Sequence, residues 1–71
     1  MNIDPGKLKV SMADAGATTS EVAKAAGYDG PRRIQQLLKG RSTNINPRIG
    51  EAIARKLKVK VPDITRDEVQ A

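Results

Sequence analysis

Along most of the chain the apolar positions recur every three or four residues rather than every two, which predicts helices rather than strands. Asp4-Pro5 opens the first: aspartate suits an N-cap, and proline in the first turn loses no hydrogen bond. Leu8, Met12 and Ala15 follow at helical spacing until Gly16. Thr18-x-x-Glu21 is a capping box for a second helix, with Val22, Ala23 and Ala26 as a compact apolar face and Gly27 as its C-cap. A third helix begins at Asp29-Gly30-Pro31 and ends before Gly40. Its buried stripe is Ile34, Leu37 and Leu38, leaving Arg32, Gln35, Gln36 and Lys39 outside. Ser42-Thr43-Asn44 reads as a polar loop, with Ile45 returning to the core. Asn46-Pro47 starts a fourth helix on Ile49, Ile53 and Leu57.

Beyond it, Val59, Val61 and Ile64 fit either an extended tail or short strand, or a lead into a last helical turn starting near Thr65-Arg66-Asp67-Glu68. The expected fold is therefore all-α, with four to five short helices in one domain over residues 1–71. Its core spans about 4–58 and its tail about 59–71.

Composition narrows the chemistry. The 71 residues include one aromatic, Tyr28, and neither Cys nor His. The core must be aliphatic, and disulfides and the usual zinc patterns are excluded. No apolar run is long enough for a membrane helix and no signal-peptide layout is present, so a cytoplasmic protein is expected. Thirteen Lys and Arg against eight Asp and Glu give a net charge of +5. Such a balance suits a polyanionic partner, since neutralising phosphates releases condensed counterions. Arg32, Arg33, Lys39 and Arg41 gather around the third helix, and arginine at a helix start opposes the macrodipole. Lys56, Lys58 and Lys60 read as a solvated rim, and Tyr28 as a cover for the core edge. No residue set supports catalysis: Ser11, Ser20 and Ser42 have no base to activate them, and a phosphate loop is missing.

Two short helices joined by a tight turn, the second basic, are a device for laying one helix in the major groove. The chain resembles the lambda-repressor and Cro class of helix-turn-helix domains, a family of phage and bacterial transcription regulators. The elements carrying the resemblance are Leu8, Gly16-Ala17-Thr18, Glu21-Val22-Ala23, Gly27, Ile34-Gln35-Gln36-Leu37, Gly40, Ile53-Ala54 and Leu57. They cover roughly residues 5–64. Gly27 through Gly40 is one residue longer than the family's usual spacing, and the extra residue falls in the Tyr28-Asp29-Gly30 turn.

The resemblance implies base contacts from Pro31, Arg32 and Gln36. Arginine can donate twice to guanine, glutamine can pair with adenine, and proline offers only apolar contact. It implies phosphate contacts from Thr19, Arg33, Lys39 and Arg41. The function expected is a Cro-like or short repressor that binds double-stranded DNA. It would act as a homodimer, at least on DNA, through Val59 to Val69, with no cofactor, metal, membrane or small-molecule substrate. The alternatives are the antitoxin of a toxin–antitoxin pair and an RNA-binding or adaptor module. The shortage of aromatics disfavours single-stranded RNA, whose bases are held by stacking.

Overall fold

The computed structural model describes residues 1–66. It is all-α: α1 (Pro5–Ala15), α2 (Thr19–Ala26), α3 (Arg32–Leu38) and α4 (Pro47–Leu57), followed by a 3-10 turn at Val61–Asp63. The helix starts follow from local side-chain chemistry. Asp4 accepts from the amides of Gly6 and Lys7 ahead of Pro5. Thr18 and Glu21 form the reciprocal capping box, with bonds of 2.9 and 3.1 Å. Asn46 accepts from the Arg48 amide ahead of Pro47. Such caps satisfy N–H groups that the helix itself cannot reach, and each contributes about 0.5–2 kcal/mol.

All four helices end in the same double hydrogen bond. At each end one residue donates to the third carbonyl back, and its successor donates to the fifth. In α1 these are Gly16 to Ala13 and Ala17 to Met12; in α2, Gly27 to Lys24 and Tyr28 to Ala23. In α4 they are Lys58 to Arg55 and Val59 to Ala54. Lys58 adopts the left-handed conformation there, φ 59°, without being glycine.

The helices enclose one aliphatic core. Ile3, Leu8, Val22, Ile34, Leu37, Ile53 and Ile64 are its largest fully buried side chains. α2 packs on α3 and α4, and α1 packs on α3, α4 and the 3-10 turn. Tyr28 is half-buried against this core, and Ile45 enters it as expected.

Three expectations need correction. Ala15 is exposed, because the last turn of α1, residues 13–16, is exposed throughout, whereas Ser11 is buried beside Leu8 and Met12. Leu38 and Ile49 only border the core instead of lying within it. The tail residues are used internally: Ile64 is fully buried, and Val59 and Val61 pack against the core. The side chain of Ile64 is therefore not left over for a second copy, while Val59 and Val61 remain partly exposed. Of the two alternatives for the tail, Thr65 takes the extended one, pairing with Ile3. The helical alternative at Asp67-Glu68, and the dimerisation expected as far as Val69, lie outside the described residues.

That pairing belongs to a clasp. The segment Met1–Asp4 lies between the loop ahead of α4 and the residues after the 3-10 turn. On one side Ile3 N–H donates to Thr43 O (2.9 Å) and Ile45 N–H to Met1 O (2.8 Å). On the other, Asp4 N–H donates to Ile64 O (2.9 Å) and Arg66 N–H to Asn2 O (3.1 Å). The Lys7 ammonium adds bonds to the carbonyls of Pro62 and Thr65. Ile3 thereby fills the core from outside any helix.

Candidate nucleic-acid interface

α3 is seven residues long and departs from the local rules that its neighbours obey. Its N-cap position is occupied by Pro31, with no side-chain hydrogen bond to the helix start and no acidic residue in the first turn. Instead Arg32 and Arg33 occupy the first two positions, next to the positive end of the helix dipole. α1, α2 and α4 each have a side-chain cap. Such a helix depends on Ile34 and Leu37, both fully buried, to hold it against the core.

The outward face of α3 carries Arg32, Gln35, Gln36 and Lys39, separated by three, four and seven residues from the first and so aligned along one side. The chain then turns at Gly40, which needs its left-handed φ of 79° to do so. Gly40 N–H donates to Leu37 O (3.0 Å) and Arg41 N–H to Gln36 O (2.9 Å). These bonds fold Arg41 back onto the end of the helix. Together Arg32, Gln35, Gln36, Lys39 and Arg41 line a shallow recess of about 200 Å³.

The helix ends differ in one respect. The two residues joined by the bond that reaches five positions back are Ala17 and Met12 at α1, Tyr28 and Ala23 at α2, and Val59 and Ala54 at α4. These pairs are apolar, as is usual for the motif. At α3 the pair is Arg41 and Gln36. A position that ordinarily covers the core is given to polar side chains, at the recess.

The recess unites four residues singled out in the sequence, Arg32, Gln36, Lys39 and Arg41, and adds Gln35. Its three cations have no acidic side chain among the lining residues. Pro31, Arg33 and Thr19 do not line it; all three are half-buried, the first two at the start of α3 and Thr19 at the start of α2. Gln35 was recognisable as surface but not as part of the group. Its spacing of three from Arg32 and four from Lys39 is the signal that places it there.

Elsewhere, Glu21 is held below the usual carboxylate range, first by the Thr18 backbone N–H, then by the Thr18 side chain, with a smaller contribution from nearby Lys56. Lys56, Lys58 and Lys60 are exposed at and beyond the end of α4, as a solvated rim should be. Among the described residues no helix is long and apolar enough to cross a membrane. Comparison with family models, curated proteins and solved structures finds no match to the chain.

Proposed function

We propose that the chain binds double-stranded DNA at a specific sequence and regulates transcription by occupying it, acting in the cytoplasm. The observation that carries the reading is the recess at α3: three cations and two amides gathered along one face of the helix and the turn that follows it, on the α-helix that lacks a side-chain cap. Where local stability rules are broken without structural compensation, a functional demand is the expected cause.

In this mechanism α3 enters the major groove, which is about 12 Å wide and admits a helix. Arg32 donates its planar fork to guanine O6 and N7, and Gln36 pairs with adenine N6 and N7. Lys39 and Arg41 hold phosphates at the far end, fixing register without reading sequence. Arg33 and Thr19 serve as outlying phosphate contacts, and Pro31 offers an apolar surface to a thymine methyl. One such module covers a modest interface, so two copies on half-sites about one helical turn apart supply affinity. Burial of Ile64 in its own core leaves less apolar surface for pairing through the tail, so the DNA itself is what brings two copies together in this reading.

Selection of bound duplexes from a random pool tests the proposal. A recurrent motif, with binding that weakens steeply as salt rises, is the expected result. A pool yielding no motif would overturn sequence-specific binding and favour an adaptor role for the basic face.

A further inference from the structure

We propose that Gln35 reads a base alongside Gln36, and that the two amides address neighbouring A·T pairs at the centre of a half-site of about three base pairs. The inference rests on the reading of α3 as the helix that enters the groove, and specifies what that helix reads.

The argument begins with length. Arg32 and Lys39 lie seven residues apart, a rise of about 10 Å along a helix. Base pairs stack every 3.4 Å or so, so the stripe from Arg32 to Lys39 spans about three of them. Cations mark the two ends of this span: Arg32 at the first turn, Lys39 and Arg41 at the last. The middle holds Gln35 and Gln36, which carry no charge.

Chemistry then separates the two kinds of residue. A phosphate is best held by Lys or Arg, which bring a full charge. A glutamine amide brings one donor edge and one acceptor edge, the pattern that matches adenine N7 and N6 in the major groove. A stripe meant only to grip the backbone has no use for two adjacent neutral amides between its cations. A stripe meant only for solubility gains nothing from them over Glu, which would also pair with Lys39 at a spacing of four.

Position finally distinguishes Gln35 from Gln36. Gln36 is half-buried, and its backbone carbonyl accepts from the N–H groups of both Lys39 and Arg41, so its backbone is fixed by the turn. Gln35 is exposed and next to it on the same recess. Neighbouring helix residues diverge by about 100°, so the two amides leave the helix in different directions and can reach different base pairs. The predicted half-site core is two adjacent A·T pairs with a G·C pair under Arg32.

The test repeats the duplex selection with the full chain carrying Gln35→Ala, and with Gln36→Ala. Because Gln35 is exposed and alanine is a good helix former, folding should be preserved, which circular dichroism checks. Each variant should lose preference at one A·T position, a different one in each case, while the other A·T pair and the G·C pair remain. Affinity for the wild-type site should fall about 5- to 150-fold. Binding to random duplex should stay within about twofold, since no charge is removed. If the wild-type chain yields a motif and the Gln35→Ala motif is identical to it, Gln35 is not a reader and this inference alone fails. If the wild-type chain yields no motif, the reading of α3 falls with it.

Discussion

Reversing the charge at the head of α3 should separate stability from function. Arg32 is exposed at the first helical position, with no side-chain cap and no acid in the first turn to offset it. A charge at a helix terminus changes stability by about 0.3–1 kcal/mol at low salt, and going from positive to negative counts the effect twice. For a seven-residue helix, whose dipole is incomplete, the lower part of that range applies, giving a gain of about 0.6–1 kcal/mol. In a domain of this size that corresponds to about 3–8 °C in melting temperature. Relief of repulsion from Lys39 and Arg41 in the same recess acts in the same direction. Arg32→Glu should therefore melt higher than the wild-type chain and bind its DNA site far more weakly. Thermal denaturation at low ionic strength reads the first effect, and anisotropy of a labelled duplex the second. Lys9→Glu, an exposed site within α1, makes the same change in net charge away from any helix end and serves as the control. The gain over that control should shrink in 1 M salt, where the screening length is about 3 Å. An Arg32→Glu chain no more stable than the Lys9→Glu chain would show that Arg32 carries no structural penalty, removing the main reason to regard its position as functional.

Other expectations follow from the same structure. Arg33, Lys39 and Arg41, changed singly to alanine, should weaken binding to all sequences about equally and each reduce the salt slope by about one counterion, read from titrations at several salt concentrations. Arg32→Lys keeps the charge but loses the planar fork, and should relax preference at one base pair in duplex selection. Thr18→Ala should cost about 0.5–2 kcal/mol in urea denaturation by removing the cap of α2. Because the Glu21 carboxyl is held low in the folded state, its contribution is present above the ordinary carboxylate pKa and is lost as pH falls through the lowered value. Glu21→Gln should accordingly flatten that part of the acid-denaturation curve. Ile64→Val should cost about 0.5–1.5 kcal/mol and Ile64→Ala about 2–5, the latter close to the whole stability of so small a core.

Local chemistry made the helix boundaries legible. Asp4-Pro5, Thr18 with Glu21, and Asn46-Pro47 announce their helices because a cap needs only the residues beside it, and Gly16 and Gly27 end theirs for the same reason. Burial that depends on distant pairing was not legible. Ile3 and Ile64 are fully buried because the first residues of the chain pair with residues forty or more positions away, which no periodicity encodes. Ser11 shows the converse error, a polar residue drawn inside because it lies on the Leu8–Met12 side of α1. The candidate interface was half-legible. Arg32, Gln36, Lys39 and Arg41 could be nominated individually, but the fold-back of Arg41 onto Gln36 is a property of the Gly40 turn, and only the structure brings Gln35 into the same recess.

The clasp at residues 1–4 sets an order of events in time. α2 and α3 are neighbours along the chain and can meet early, since short loops close within about 100 ns. Ile3 has no hydrogen-bond partner until the chain has closed a loop of about forty residues onto Thr43, and its neighbours Asn2 and Asp4 wait on a loop of some sixty residues to Arg66 and Ile64. Closing such a loop costs on the order of 4 kcal/mol in chain entropy, comparable to the entire stability expected of a core this small. The clasp therefore forms after the helices have docked, and its amides are among the first to open again. Thr43 and Ile45, which lead from Arg41 into α4, are tied to that same segment. The backbone leading away from the recess is consequently the last part of the molecule to become fixed, and hydrogen exchange at Ile3, Asp4, Ile45 and Arg66 should follow a single opening rate, faster than that of Ile34 or Ile53.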